Sequence, residues 1–140
     1  MSGDLLVGYD GSDCAKAALA EAELVASRLG CGLTVAFCAE PPAAYAGGAG
    51  DQRRVLEESG NQLLAEALAS LSDPSVEVLT VVVHNRPAQG LLAYADEMDA
   101  AMIVVGTYSE RPIAAALVGS TPHKLLHLST RPVLVVPVPD

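Results

Sequence analysis

Two segments of this sequence carry residue types that can hold an anion. One is Gly106-Thr107-Tyr108-Ser109, followed after nine residues by Gly119-Ser120-Thr121 at the start of a helical pattern. A loop of this kind aims backbone N–H groups at a phosphate. The helix start behind it carries about half a positive charge, and the Ser120 and Thr121 hydroxyls add donors. The same spacing also suits a plain turn with an N-capping residue, so spacing alone leaves both readings open. The second segment is Tyr9-Asp10-Gly11-Ser12, where an apolar run ends on a carboxylate. Asp10 either accepts hydrogen bonds from a ligand or caps the helix that follows. Glu110 and Arg111 come directly after Ser109. A guanidinium can fork onto phosphate oxygens, whereas Glu110 would repel them; both also read as solvated loop charges. Lys124, one turn into the last helix, is expected to face solvent.

Other chemistry finds less support. His123 and His127 are four apart and share a helix face, but no third ligand accompanies them, and zinc needs three or four. They read as a surface pair, and His84 reads as a side chain at the edge of the core. Cys14, Cys31 and Cys38 form no C-x-x-C and leave one unpaired, so they are expected to serve as small buried hydrophobes. No Ser/His/Asp order or nucleophile elbow is present, and Cys14 has no base beside it, which leaves no conventional hydrolytic machinery.

These residues need a scaffold, and hydrophobic periodicity supplies one. Strands are predicted at 5–9, 33–39, 76–83, 101–105 and 132–136, and helices at 13–29, 51–71, 87–98 and 120–128. Gly30 suits a left-handed cap on the first helix. Gly60 weakens the second by about 1 kcal/mol relative to Ala, and 41–50 is a Pro/Ala/Gly loop. The order β-α-β-α-β-α-β-α-β with uniformly apolar strands predicts a parallel sheet buried on both faces, a doubly wound α/β domain. Ligands in such sheets bind beyond the carboxyl ends of the strands, which directs attention to the segments after Tyr9, Ala39, Val83 and Val105.

Composition narrows the function classes. At 140 residues the chain is predicted to be one domain, 1–140. With 51% hydrophobic and 18% charged residues it has enough apolar surface to fold. Its apolar runs are too short to cross a bilayer, and the first residues show no secretory signal, so a cytoplasmic location is expected. Eight Lys and Arg against seventeen Asp and Glu give a net charge of −9, which disfavours a nucleic-acid partner.

These motifs resemble those of the universal stress protein family. Its nucleotide-binding members carry G-x-x-G, nine residues, then G-[S/T], a helix and a P-V-L-V-V strand. Gly106, Gly119, Ser120 and Pro132-Val133-Leu134-Val135-Val136 match that pattern, Val7-Gly8-Tyr9-Asp10-Gly11-Ser12 is similar to its opening, and Arg86-Pro87-Ala88 stands where its third helix begins. The resemblance spans the chain. It implies a three-layer α/β/α fold of the adenine nucleotide alpha hydrolase-like kind, and a site for ATP or another adenine nucleotide, alone or with Mg. Asp10 would approach the ribose or adenine end, main-chain groups at Cys38 the adenine, and Gly106, Ser109, Gly119, Ser120 and Thr121 the ribose and phosphates. It also implies a homodimer through the last strand, a regulatory role in stress response and at most slow ATP hydrolysis.

Two positions depart from the pattern. Ser109 replaces the second glycine; where the backbone has positive φ, this costs about 1 to 2 kcal/mol. Asn85 replaces a glycine before the Pro-Ala, and Asn tolerates left-handed geometry. The alternative from a different class is a family member without nucleotide, acting as a dimeric interaction or regulatory module. A response-regulator receiver is excluded because the third strand ends in His84-Asn85 and nothing basic follows Val136. An ATP pyrophosphatase is excluded because Tyr9-Asp10-Gly11-Ser12-Asp13 lacks its phosphate loop.

Overall fold

The computed structural model describes residues 3–40, 49–107 and 119–139. Nine elements alternate along the chain: β1 (Leu5–Gly8), α1 (Asp13–Leu29), β2 (Leu33–Cys38), α2 (Ala49–Ser70), β3 (Val78–Val83), α3 (Pro87–Met98), β4 (Met102–Gly106), α4 (Ser120–Leu128) and β5 (Val133–Val136). The strands form one parallel sheet in the order β3-β2-β1-β4-β5. The order reverses at β1, which has β2 on one side and β4 on the other. This is the doubly wound fold expected from the element order, with its switch point between β1 and β4.

Alternation along the strands builds a core on each face of the sheet. Leu5, Val7, Leu33, Val35 and Val104 point to the face covered by α1 and α2, where they meet Ala18, Leu19, Ala22, Ala26, Leu64 and Ala67. Leu6, Ala36, Ile103 and Val105 point to the other, against Leu91 and Ala95 of α3 and Leu125 of α4. The run of alanines on α1 lets its axis come close to the sheet. Ser12 Oγ accepts from Ala15 N–H at 3.1 Å and caps the helix start, while Gly30 (φ 70°) ends it with its N–H on the Ala26 and Ser27 carbonyls.

Several expectations are revised. β3 is an edge strand and is not buried on both faces: Leu79 and Thr80 are exposed. Val-rich composition reports fit to a pleated surface and carries no information about which strand lies outermost. α2 begins at Ala49 rather than 51, so Gly50 belongs to the helix and not to the loop. Gly60 is a close-approach position, because an added Cβ would lie 2.5 Å from Cδ2 of Phe37 on β2. Its helix-propensity cost allows α2 to settle on the sheet. Asn85 has no left-handed backbone, since Asp99 (φ 51°) is the sole non-glycine with positive φ among the described residues. Its side chain instead accepts the Arg86 N–H at 2.8 Å.

At the amino ends of the strands, the Arg131 guanidinium donates to Asp99 Oδ1 (3.0 Å), the Ala100 carbonyl (2.7 Å) and Asp96 Oδ1 (3.2 Å). It ties the end of α3 to the entry of β5, at the pole opposite the site described next.

Candidate functional site

Beyond the ends of β1 and β4, with α1 on one face of the sheet and α4 on the other, lies a crevice. A cavity of about 270 Å³ opens there. Its floor is Gly8, Ala36, Leu91 and Val105, with Tyr9, Asp10, Cys38, Glu40 and Gly106 at the strand ends, and Arg86, Gln89, Ser120, Thr121 and Lys124 at the starts of α3 and α4. Sequence reasoning pointed to Asp10, Cys38, Gly106, Ser120 and Thr121, and the fold brings all five to this cavity. Gly119 stands next to it, and Ser109, Glu110 and Arg111 lie outside the described residues.

Each side chain is held there by a local cause. Asp10 is exposed and does not cap α1, since Ser12 does; its Oδ1 accepts the Ser12 N–H at 3.0 Å in an Asx turn. That bond fixes the carboxylate and leaves its other oxygen able to accept from a ligand. Gly106 is glycine for packing. A Cβ there would lie 2.6 Å from the Cys14 carbonyl oxygen and 2.7 Å from its carbon, so only glycine lets the first turn of α1 lie against the end of β4. The Cys14 thiol is buried and lies 3.9 Å from Thr107 Oγ1 across the same seam.

β2 runs two residues past its last pairing with β1, Gly8↔Ala36. Tyr9 N–H donates to the Ala36 carbonyl and Ala39 N–H to the Val83 carbonyl. Ladder alternation therefore directs the Cys38 peptide groups toward the side that β1 has vacated. The Cys38 thiol donates to the Pro87 carbonyl at 3.7 Å, and burial pushes it up to about 12, so it is a neutral spacer and not a thiolate. Tyr9 is buried; burial, then Glu66, then Asp10 raise its phenol, which stays protonated.

Gly119 caps α4 with extended backbone (φ −62°, ψ 168°). Its N–H donates to the Thr107 carbonyl at 2.7 Å, and its carbonyl accepts from His123 N–H at 3.1 Å. The residue thus ties the two ends of the 107–119 segment together. Pro122 has no N–H, so the first turn of α4 presents the N–H groups of Ser120 and Thr121, with no acceptor among the described residues, together with their hydroxyls. Aligned with the helix dipole, these four donors suit an anion.

Sequence reasoning left three charged wall residues out of the site, Lys124 by assigning it to solvent and Arg86 and Glu40 by missing them. Lys124 is exposed as expected, yet it also lines the cavity, because it is three and four residues from Thr121 and Ser120 on one helix face. Arg86 caps α3 through its backbone and also lines the cavity. Its position before the Pro-Ala that opens α3 was the available signal. Glu40 follows β2 and had no motif to mark it.

The remaining candidates lie elsewhere. His123 and His127 are exposed, with rings in a T-shaped contact at 4.6 Å, and no cluster of three metal-binding side chains exists among the described residues. His84 Nε2 lies 3.4 Å from Glu57 and pins α2 to the end of β3. Cys31 and Cys38 are only partly buried, unlike Cys14; burial, then Asp4, raise the Cys31 thiol. No helix among the described residues is long and apolar enough to cross a membrane.

The profile of the Universal stress protein family matches residues 1–137. A universal stress protein of Thermus aquaticus is 32% identical over 134 residues, covering 94% of this chain and 96% of its own. YxiE of Bacillus subtilis is 31% identical over 84 residues, 60% of this chain and 57% of its own. Universal stress protein Rv2623 of Mycobacterium tuberculosis is 34% identical over 133 residues, 94% of this chain and 44% of its own, so the chain spans under half of that relative. Among solved structures, hypothetical protein MJ0577 superposes with TM-score 0.87 at 18% identity over 100% of this chain and 99% of its own. A universal stress protein in complex with cAMP superposes at 0.67 (24% identity, 98% of each chain). One from Archaeoglobus fulgidus in complex with dAMP superposes at 0.64 (18% identity, 96% and 97%).

Proposed function

The chain belongs to the universal stress protein family, and we propose that it binds an adenine nucleotide, ATP foremost, in the cavity between the ends of β1 and β4. The observation that carries this reading is the start of α4. Two N–H groups and two hydroxyls without described partners belong to residues that line a cavity at the switch point of a doubly wound sheet, which is where such folds take ligands. Relatives of the same fold form complexes with cAMP and dAMP, which supports an adenine ligand. In this reading the main chain at Cys38 recognises adenine, Asp10 a ribose hydroxyl, and Gly106 with Ser120 and Thr121 the phosphate end. The domain, 1–140, acts in the cytoplasm as a regulator in the stress response.

The exposed row of β5 supports a homodimer through that strand. β5 is an edge strand whose first three residues are only half-buried, and Leu126, Leu128 and Val138 are exposed beside it. Light scattering is expected to give twice 14.4 kDa at micromolar concentration. A 14.4 kDa species there removes the dimer from the proposal.

Mass spectrometry of the freshly purified, denatured protein, together with calorimetric titration, tests the nucleotide reading. Retained adenine nucleotide, or ATP binding that Ser120→Ala/Thr121→Val weakens, is the expected result. A folded protein that neither retains nor binds adenine nucleotide favours the dimeric interaction module instead.

A further inference from the structure

The chain has eight cationic side chains against seventeen acidic ones, yet two of the eight, Arg86 and Lys124, stand on the wall of one cavity. Lys124 lies over the turn of α4 that presents Ser120 and Thr121. Arg86 stands at the start of α3, which packs beside α4 on the same face of the sheet. Its backbone is fixed, with its N–H on Asn85 Oδ1 at 2.8 Å and its carbonyl accepting from Gly90 N–H at 2.7 Å. Neither Arg86 nor Lys124 has an ion-pair partner among the described residues, in contrast to Arg131, which is occupied by Asp96 and Asp99. The acidic wall residues, Asp10 and Glu40, belong to a different part of the rim, after β1 and β2. The cavity is therefore polarised, with carboxylates at the strand ends and cations at the helix starts.

We infer that Arg86 and Lys124 form a charge clamp for polyphosphate, which makes this cavity prefer a triphosphate to a monophosphate or a bare nucleoside. The clamp deepens the nucleotide reading and depends on it only for what the phosphates are attached to. A guanidinium takes two phosphate oxygens at once and an ammonium acts as a mobile point charge, so the pair can follow a chain of phosphates that leaves the start of α4. Local cations are also needed because a triphosphate approaching a chain of net charge −9 meets long-range repulsion.

The test uses the full chain and the variants Arg86→Gln, Lys124→Gln and the double. Both side chains are exposed, so the variants are expected to keep the wild-type melting profile. Calorimetric titrations with adenosine, AMP, ATP and inorganic triphosphate are run at low and high salt. Each single variant is expected to lose about tenfold in affinity for ATP and for inorganic triphosphate, the double substantially more, with adenosine changed less than about twofold. The salt dependence of ATP binding should fall in step. A double variant with wild-type affinity for ATP and inorganic triphosphate overturns the clamp while leaving the adenine site standing. The same holds if adenosine and ATP weaken equally. Conversely, binding of inorganic triphosphate that depends on Arg86 and Lys124, in a protein that ignores adenosine and gains nothing from the adenine of ATP, keeps the clamp and rejects the adenine reading. Wild-type protein that binds none of the four rejects both.

Discussion

Replacing Gly106 with alanine isolates the contact that shapes the cavity. On backbone preference alone the change is favourable, since glycine inside a strand is about 0.5–1 kcal/mol worse than alanine. The new methyl group, however, would sit 2.6 Å from the Cys14 carbonyl oxygen and 2.7 Å from both its carbonyl carbon and Cβ. These atoms are mainly main chain in the first turn of α1, which cannot rotate aside as a side chain can. Overpacking of this kind costs about 1–3 kcal/mol, and a rigid obstacle puts it at the upper end. The net expectation is a destabilisation of about 2 kcal/mol, or a fall in Tm of roughly 8 °C for a domain of this length. The displaced α1 start carries Ser12 and the Asx turn of Asp10, so ATP affinity should fall as well. Gly8→Ala is the internal control. It lies at the end of the neighbouring strand, but its new Cβ would meet Leu91 Cδ1 at 2.9 Å, a side-chain methyl that can shift into the cavity Leu91 lines, and should cost under about 1 kcal/mol. Urea denaturation and thermal melts of both variants decide the matter. A Gly106→Ala protein as stable as Gly8→Ala would refute the close approach of α1 to β4 as the reason for glycine there.

Asp10 and Cys38 give further expectations from the geometry of the cavity, and Ser109 gives one from the sequence pattern alone. Asp10→Ala should weaken ATP binding about tenfold through loss of a charged acceptor, with melting little changed because Ser12 holds the helix cap; unchanged calorimetric affinity would confine Asp10 to its Asx turn. With its thiol pushed up to about 12, Cys38 is almost wholly protonated at pH 8, so iodoacetamide should label it far more slowly in the folded protein than in urea. The sign of the linked stability effect is set by the same shift: above about pH 9 a cysteine ionises in the unfolded chain and not in the folded one, so stability falls as pH rises through that range. Rapid labelling of folded Cys38 at pH 8 contradicts the upward shift of its thiol. Finally, restoring the family pattern with Ser109→Gly should tighten ATP about five- to tenfold and leave adenosine unchanged, as read by calorimetry; equal or weaker ATP affinity would mean that serine suits the position.

The elements themselves were legible because their signals are local. Gly30 ends α1, Pro87 opens α3, and Gly119 stands at the start of α4, each where sequence reasoning placed it, whereas the cap of α1 is Ser12 and not Asp10. Lateral position was harder to read. Nothing within Val78–Val83 records that β3 has a neighbour on one side only, because Val and Leu suit a central strand equally well. The glycines show the same division. Gly60 and Gly106 look like a helix flaw and a loop glycine until their partners, Phe37 and Cys14, are seen across the fold. In the cavity, Asp10, Ser120 and Thr121 carried motif signals, while Arg86, Glu40 and Lys124 became wall residues only when three separate strand–helix junctions met. Charge constellations assembled from distant segments leave no spacing to read.

The location of the ligand is open to one direct measurement, a titration of the isotopically labelled protein with ATP followed by amide resonances. The expected perturbations centre on Gly8, Asp10, Cys38, Gly106, Ser120 and Thr121, at the carboxyl ends of the strands, with Ala100 and Arg131 at the opposite pole unmoved. Resonances that stay fixed at saturating ATP, or that shift around Arg131 and not around Ser120, would contradict a nucleotide site between β1 and β4.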